Sequence, residues 1–284
     1  MLNYRSGGPI AGVDNYFQLS RKLELFDDFI DIVRDNIERS IGALAGLEVA
    51  QFDHPAAEQY IRSATGRHDL HWVAHCIGSL TLMMSALSGT VTPASVLASS
   101  VALHPIGPRI TGIKARLHLA TLLRRMGIRH LTTDAYDDES IKSRLFDQAL
   151  RLYPVPAAER CDQAVCRRLA FIYGNAIHHA AVDRGTHLAL HELFGPTNLK
   201  MMEHLSDCAA AERLLDARGA DAYLPHLEWL QLPITFLHGA HNLVWVPEST
   251  ERSFNLLVHE LSLIHISEPT RLRRNSYAVF CLKK

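Results

Sequence analysis

Residues 69–87, DLHWVAHCIGSLTLMMSAL, decide the fold, because they predict a buried strand, a tight turn and a buried helix in direct succession. The first six residues, DLHWVA, predict a buried strand, of the kind that is covered on both faces. From Ile77 to Leu87 apolar residues occupy almost every position, which predicts a helix that is buried all round. After Gly89, the run 94–103 predicts the next parallel strand, with the helix as the crossover between the two strands. The pattern is therefore βαβ.

The turn between strand and helix, His75-Cys76-Ile77-Gly78-Ser79, has the form of a nucleophile elbow. In G-x-S-x-G elbows, small flanking residues let the backbone fold sharply, so that the nucleophile stands exposed. Cys76 takes the nucleophile position here, and the N–H of Ile77 would form half of an oxyanion hole. The N-terminus of a helix also favours an anionic thiolate. The alternative is a buried structural cysteine, which is the usual role of an isolated cysteine.

Composition sets broad limits on the protein class. The chain has 284 residues, 48% of them hydrophobic, which is typical of a globular protein with one large domain or two small ones. The net charge of −1 gives no support for a nucleic-acid partner. No apolar run approaches the roughly 20 residues that a transmembrane helix needs, and the N-terminus does not resemble a secretory signal. Five cysteines at irregular spacing indicate reduced thiols, and we expect a cytoplasmic protein.

The rest of the chain divides by its periodicity. Apolar residues between Lys22 and Leu44 predict an amphipathic helix, and the segment 113–217 has helical spacing broken by Gly and Pro. A strand at 233–238 and a helix at 249–257, which Ser249 could cap, return the chain to the sheet. The predicted regions are an atypical N-terminal region at 1–50, a core with the elbow at 51–106, a helical cap at 107–230, a core strand and helix at 231–260, and a tail at 261–284.

The tail, LSLIHISEPTRLRRNSYAVFCLKK, is unlike the segments before it. It shows neither helical nor strand periodicity. Its strings LSLIHISEPTR and SYAVFCL resemble a sequencing adapter translated in frame. We therefore expect residues 261–284 to be artefactual and to lie outside the fold, with the natural protein continuing beyond Glu260.

Several strings together resemble one protein family. They are HWVAHCIGSLTLMMSALSG, ALRLYPVPAAERCDQAVCRRLAFIYG, THLALHELFG and YLPHLEWLQLPITFLHGAHN. From Gln51 to Leu257 the chain resembles the α/β-hydrolase-fold domains that are fused to, or encoded beside, GMC-type oxidoreductases similar to cholesterol oxidase. The resemblance implies a partial α/β-hydrolase fold, which is a parallel sheet with a large inserted helical cap. The N- and C-terminal parts of the sheet are expected to be missing. It also implies a role in sterol or lipid oxidation, with FAD only in an associated oxidoreductase. No G-x-G-x-x-G segment occurs in this chain, so no cofactor of its own is expected.

This chain departs from the family pattern at three places. A His-Gly oxyanion loop and an Asp-Trp-Arg-like strand end should precede Phe52, and residues 1–50 contain neither. The acid position, after the penultimate strand, holds the stretch 238–242, where Asn242 could orient an imidazole but cannot supply charge. The general-base histidine should follow one further strand beyond Leu257, where the adapter-like tail stands. We therefore expect the chain as given to be inactive.

The resemblance and the elbow together predict a function for the complete protein. Cys76 would attack an ester, lactone or thioester of a lipid or sterol-like substrate. The cap residues expected to select that substrate are Phe171, Tyr173, Leu190 and Phe194. The alternative is a non-catalytic module that binds lipid or a flavin oxidoreductase, either as a partner or as a fused domain.

Seventeen histidines and five cysteines also raise the question of a metal site. The candidate pairs are His187 with His191, His178 with His179, and Cys161 with Cys166. The first pair is spaced for one helix face but does not form the H-E-x-x-H motif, and the cysteines lack a second pair at zinc-finger spacing. Packing and surface roles are therefore predicted for all of them, and no metal.

Overall fold

The computed structural model describes residues 46–135, 141–261, 264–268 and 277–283. The strands and the α-helices of four or more residues are, in chain order, α1 (His54–Thr65), β1 (His71–His75), α2 (Ile77–Leu87), β2 (Ser95–Ser99), α3 (Arg109–Arg116), α4 (Leu119–Arg125), β3 (His130–Leu131), α5 (Ile141–Leu150), α6 (Ala164–Ile172), α7 (Arg184–Leu188), α8 (Leu190–Leu193), β4 (Thr197–Asn198), α9 (Leu199–Ala211), β5 (Ile234–Gly239), α10 (Pro247–Leu261), β6 (Ile264–Glu268) and β7 (Tyr277–Lys283). Shorter or tighter helical segments are Gly46–Glu48, the π-helix Val49–Asp53 and the 3-10 helices Ala157–Glu159, His179–Ala181 and Leu224–Leu230. The predicted amphipathic helix between Lys22 and Leu44 lies outside the described residues.

The centre of the molecule is a parallel sheet in the order β1-β2-β5. Ala74 lies beside Ala98, and Ala98 lies beside Phe236, so the three strands keep one continuous register. Helix α2 connects β1 to β2, as the sequence predicts, and the chain returns to β5 only after the long helical segment. This arrangement of helices around a three-stranded parallel sheet confirms the α/β class.

The core lies on one face of that sheet. Val96, Ala98, Ile234 and Phe236 are buried there together with side chains of α2 and α10. The rings of Phe236 and Phe254 meet edge to face at 6.3 Å, which joins β5 to α10. On the other face His71, Val73 and His75 are exposed, so the prediction of a strand covered on both faces is wrong for β1.

Two antiparallel strands extend the sheet beyond β5. Strand β7 pairs with β5 and strand β6 pairs with β7, so the five-stranded order is β1-β2-β5-β7-β6. The sequence predicts no element in residues 261–284, and the structure differs there. Ladder hydrogen bonds join backbone groups, so a strand can add to the open edge of β5 without the side-chain alternation on which sequence prediction depends.

The segment 107–230 is largely helical, but its helices are shorter than the sequence predicts. Helical spacing continues in the sequence from Val165 to His179, but α6 ends at Ile172, because Gly174 takes a φ of +90° and redirects the chain. Strands β3 and β4 form a small antiparallel pair within this segment. Helix α10 begins at Pro247, so Ser249 lies inside it and donates its hydroxyl to the carbonyl of His104 rather than capping the helix.

None of the helices in the described part of the chain combines the length and the apolar character that a membrane crossing requires.

Candidate functional site

Cys76 occupies a strained turn between β1 and α2. Its φ of 53° and ψ of −124° lie in a region that residues with a side chain rarely adopt. Backbone hydrogen bonds hold the turn on both sides: the Cys76 N–H donates to Ser99 O at 3.0 Å, and the N–H of Ser79 donates to Cys76 O at 3.0 Å. The thiol is half-buried. The backbone therefore has the sharp bend expected of an elbow.

The residues next to Cys76 have distinct environments. Ile77 is the first residue of α2, so its N–H is one of the helix-start donors that have no partner within the helix. His75 is exposed, with Nδ1 at 3.1 Å from Ser99 Oγ. A Cβ placed on Gly78 would meet nothing within 4 Å, so the small residue that the elbow pattern emphasises is not required by contacts here. Ser79 is fully buried, and its Oγ has no hydrogen-bond partner within the described residues.

Asn242 lies in the loop after β5, at the carboxyl edge of the sheet that also carries Cys76. Cys76 follows β1 and Asn242 follows β5, and only β2 lies between these two strands in the sheet. The ends of the two strands are therefore about 10 Å apart. The Asn242 Oδ1 accepts hydrogen bonds from the N–H of Val244 at 2.9 Å and from that of Trp245 at 3.1 Å. The side chain thus shapes its own loop, and its predicted role in orienting an imidazole stays a prediction.

The buried histidines near this side of the sheet are already engaged. His238 Nδ1 lies 2.6 Å from Thr250 Oγ1, and its Nε2 lies 3.2 Å from Trp245 O. His104 is buried with Nδ1 at 3.3 Å from Ser253 Oγ, and burial lowers its pKa to about 4. Burial also lowers the pKa of His238. Among residues 46–135 and 141–261, no histidine is hydrogen-bonded to the Cys76 thiol.

The four side chains predicted to select the substrate pack within the helical segment. Leu190 is buried against α6, and Tyr173 and Phe194 pack at the margin of the same cluster with ring centroids 5.5 Å apart. Phe171 instead contacts the rings of Phe146 and Tyr153, each at 5.6 Å. All four belong to the packing of this segment, and their role in substrate choice stays a prediction.

The structure brings together four residues that the sequence analysis considered only in separate pairs. The ligand atoms of Cys161, Cys166, His179 and His187 all lie within 4.8 Å of one another. His191, the predicted helical partner of His187, is not in this set: its Nδ1 lies 2.9 Å from Leu188 O. The separate packing and surface roles predicted for these residues do not account for this arrangement.

The signal that sequence reasoning missed is the whole run, C-x4-C followed by two histidines, rather than any one pair within it. Burial, together with the neighbouring Cys161 thiol, raises the pKa of Cys166 to about 12, which does not suit a nucleophile. A cavity of about 890 Å³ lies beside the cluster and is lined partly by Cys161, Cys166 and His179. Thiol and imidazole are the donor groups of a transition-metal site.

A scan against models of known protein families and a search of curated proteins gave no match to this chain.

Proposed function

We propose that residues 51–260 form part of an α/β-hydrolase-type domain with 107–230 as its inserted cap, and that Cys76 is the nucleophile of an acyl-transfer reaction. The observation that carries this proposal is the backbone of Cys76, with a φ of 53° at the junction of a parallel strand and a buried helix. A strained turn of this kind costs about 1–3 kcal/mol, and such strain concentrates at functional sites.

The chemistry follows from the position of the thiol. The Cys76 thiolate would attack the acyl carbon of an ester, lactone or thioester, and the N–H of Ile77 would stabilise the oxyanion that forms. Collapse of the tetrahedral intermediate breaks the bond to the leaving group, which departs with a proton and leaves an acyl-thioester on Cys76. Water would then release the carboxylic acid, a step that requires a general base.

The base limits what this chain does by itself. Because no histidine in the described part of the chain reaches the Cys76 thiol, we expect acylation without efficient turnover. The substrate class we propose is an acylated lipid or sterol-like molecule, handled beside a flavin oxidoreductase that carries FAD. Support for this substrate class comes only from the sequence strings that resemble GMC-associated domains.

A second candidate function is a module that binds lipid or an oxidoreductase without chemistry. It is favoured by the absence of a hydrogen bond between the Cys76 thiol and any histidine or carboxylate among the described residues. Asn242 also supports it, because its Oδ1 already accepts two loop N–H groups. The two functions predict different behaviour of the thiol.

Acylation by 4-nitrophenyl butyrate, followed by intact mass and peptide mapping, separates them. The expected result is one butyryl group per chain, located on Cys76 and transferred faster than to glutathione at the same pH. Cys76→Ala should lose this adduct, and Cys208→Ala, which removes a fully buried thiol of α9, should keep it. Labelling no faster than that of glutathione, or spread over several cysteines, would argue against a nucleophile. Saturable binding of a fluorescent sterol that Cys76→Ala retains, without acylation, would favour the binding module.

A further inference from the structure

We propose that Cys161, Cys166, His179 and His187 bind a structural Zn²⁺ ion. The Cys166 Sγ lies 3.1 Å and the Cys161 Sγ lies 3.5 Å from the His187 Nε2, and all four ligand atoms lie within 4.8 Å of one another. Metal–ligand distances of about 2.3 Å for sulfur and 2.0–2.1 Å for nitrogen place tetrahedral ligands about 3.3–3.8 Å apart. The cluster needs only small adjustments to enclose one ion.

The chain path explains why these four residues meet. Cys161 precedes α6 and Cys166 lies in its first turns, so both thiols lie near the start of this helix. After α6, Gly174 with a φ of +90° turns the chain back, which brings His179 to the thiols. Asp183 then caps α7 by accepting from the N–H groups of Gly185 and Thr186, and α7 carries His187. The site is therefore built from one short segment of the chain.

The environment of His179 points to a missing partner. Its Nδ1 lies 2.8 Å from the buried carboxylate of Glu159, whose other oxygen lies 2.5 Å from His178 Nδ1. The Nδ1–H donates a hydrogen bond to the carboxylate, so the Nε2 of the neutral ring carries a free lone pair. This Nε2 is buried, and no described residue is hydrogen-bonded to it. A carboxylate behind a histidine, with the second nitrogen aimed at a metal, is the usual support for a metal ligand.

The donor set selects the metal and its role. Two thiolates with two imidazoles suit zinc, whereas Ca²⁺ and Mg²⁺ take oxygen ligands. Four protein ligands leave no open position for a substrate, which makes the site structural rather than catalytic. The buried apolar cluster beside the site is small and consists of Val165, Cys166, Leu169 and Leu190. A metal cross-link between α6 and α7 would supply stability that this small cluster lacks.

Metal analysis of the purified protein tests the proposal. After expression with added ZnSO4 and removal of free metal, elemental analysis should give one zinc per chain. Cys161→Ser and His187→Ala should each reduce bound zinc at least tenfold. His191→Ala and Cys76→Ala are the matched controls and should keep the metal. His191 is a histidine beside the site that is not a ligand, and Cys76 is a thiol in another part of the fold. The site is independent of the Cys76 chemistry, so failure of either proposal leaves the other standing.

A second measurement covers variants that fail to fold. The wild-type chain is stripped with a chelator, and its circular dichroism spectrum confirms that it remains folded or refolds on addition of ZnSO4. Titration with Co²⁺ should then give the intense visible absorption of a tetrahedral ion with thiolate ligands, lost on addition of Zn²⁺. Folded wild-type chain that takes up neither metal, zinc retained by Cys161→Ser, or a Cys161–Cys166 disulfide in place of the metal would overturn the proposal.

Discussion

The strain at Cys76 can be measured as a difference between two variants that both lack the thiol. Cys76→Ala keeps a Cβ at a φ of 53°, whereas Cys76→Gly removes it. Relief of the strain is worth about 1–3 kcal/mol. The greater flexibility of glycine in the unfolded chain costs about 0.4–1 kcal/mol. We therefore expect Cys76→Gly to be more stable than Cys76→Ala by about 1 kcal/mol.

Urea unfolding monitored by circular dichroism measures this difference. With a slope of about 2–3 kcal/mol per M, the midpoint of Cys76→Gly should lie about 0.3–0.5 M above that of Cys76→Ala. The control is Ala56→Gly in α1, an exposed helical position where the same exchange should cost about 1 kcal/mol. If Cys76→Gly is less stable than Cys76→Ala by a similar amount, the turn stores no strain and the argument for an elbow loses its main support.

Three further predictions concern polar side chains that stabilise the fold. Burial holds the pKa of His104 at about 4, against 6.5 in the unfolded chain. The neutral imidazole therefore has its full stabilising effect above pH 6.5, and the free energy of unfolding decreases as the pH falls from 6.5 to about 4. This amounts to about 3 kcal/mol, and unfolding at several pH values should show a smaller slope in His104→Gln than in the wild type. In the wild type Arg168 donates two hydrogen bonds to the Asp147 carboxylate, at 2.7 and 3.0 Å. Arg168→Met leaves this carboxylate without its partner and should lower the free energy of unfolding by about 3 kcal/mol. The double variant with Asp147→Leu should recover part of that loss in the same assay. Asn242→Ala removes two loop hydrogen bonds and should cost about 1–2 kcal/mol in thermal unfolding, whereas Asn242→Asp, which keeps an acceptor oxygen, should stay close to the wild type.

The sequence predicts the parts of the fold that depend on neighbouring residues. Helix α2 begins and ends where its apolar run does, because a helix buried on all sides leaves an uninterrupted pattern from Ile77 to Leu87. Strands β1, β2 and β5 lie within a few residues of their predicted places, because the pattern that predicts each of them is also local in the sequence. Gly66 ends α1 with a φ of 66°, and a glycine at this position is a helix-end signal that can be read from the sequence.

The sequence does not predict features that depend on the path of the chain. The four-residue cluster forms only because Gly174 reverses the chain after α6, and a helix continued through His179 would place that residue elsewhere. Asn242 illustrates a second limit of sequence prediction. An asparagine that accepts hydrogen bonds from its own loop and one that orients an imidazole cannot be told apart from residue type alone. Pairing of β7 with β5 rests on backbone groups, which leave no trace in residue type.

Strand β1 has one further consequence, for the behaviour of the protein at high concentration. Within the described residues β1 pairs only with β2, and Val73 at its centre is 78% exposed. The outer side of such a strand is a template on which another extended segment can add through main-chain groups alone. Self-association that rises with concentration and decreases in Val73→Lys is therefore the expected solution behaviour.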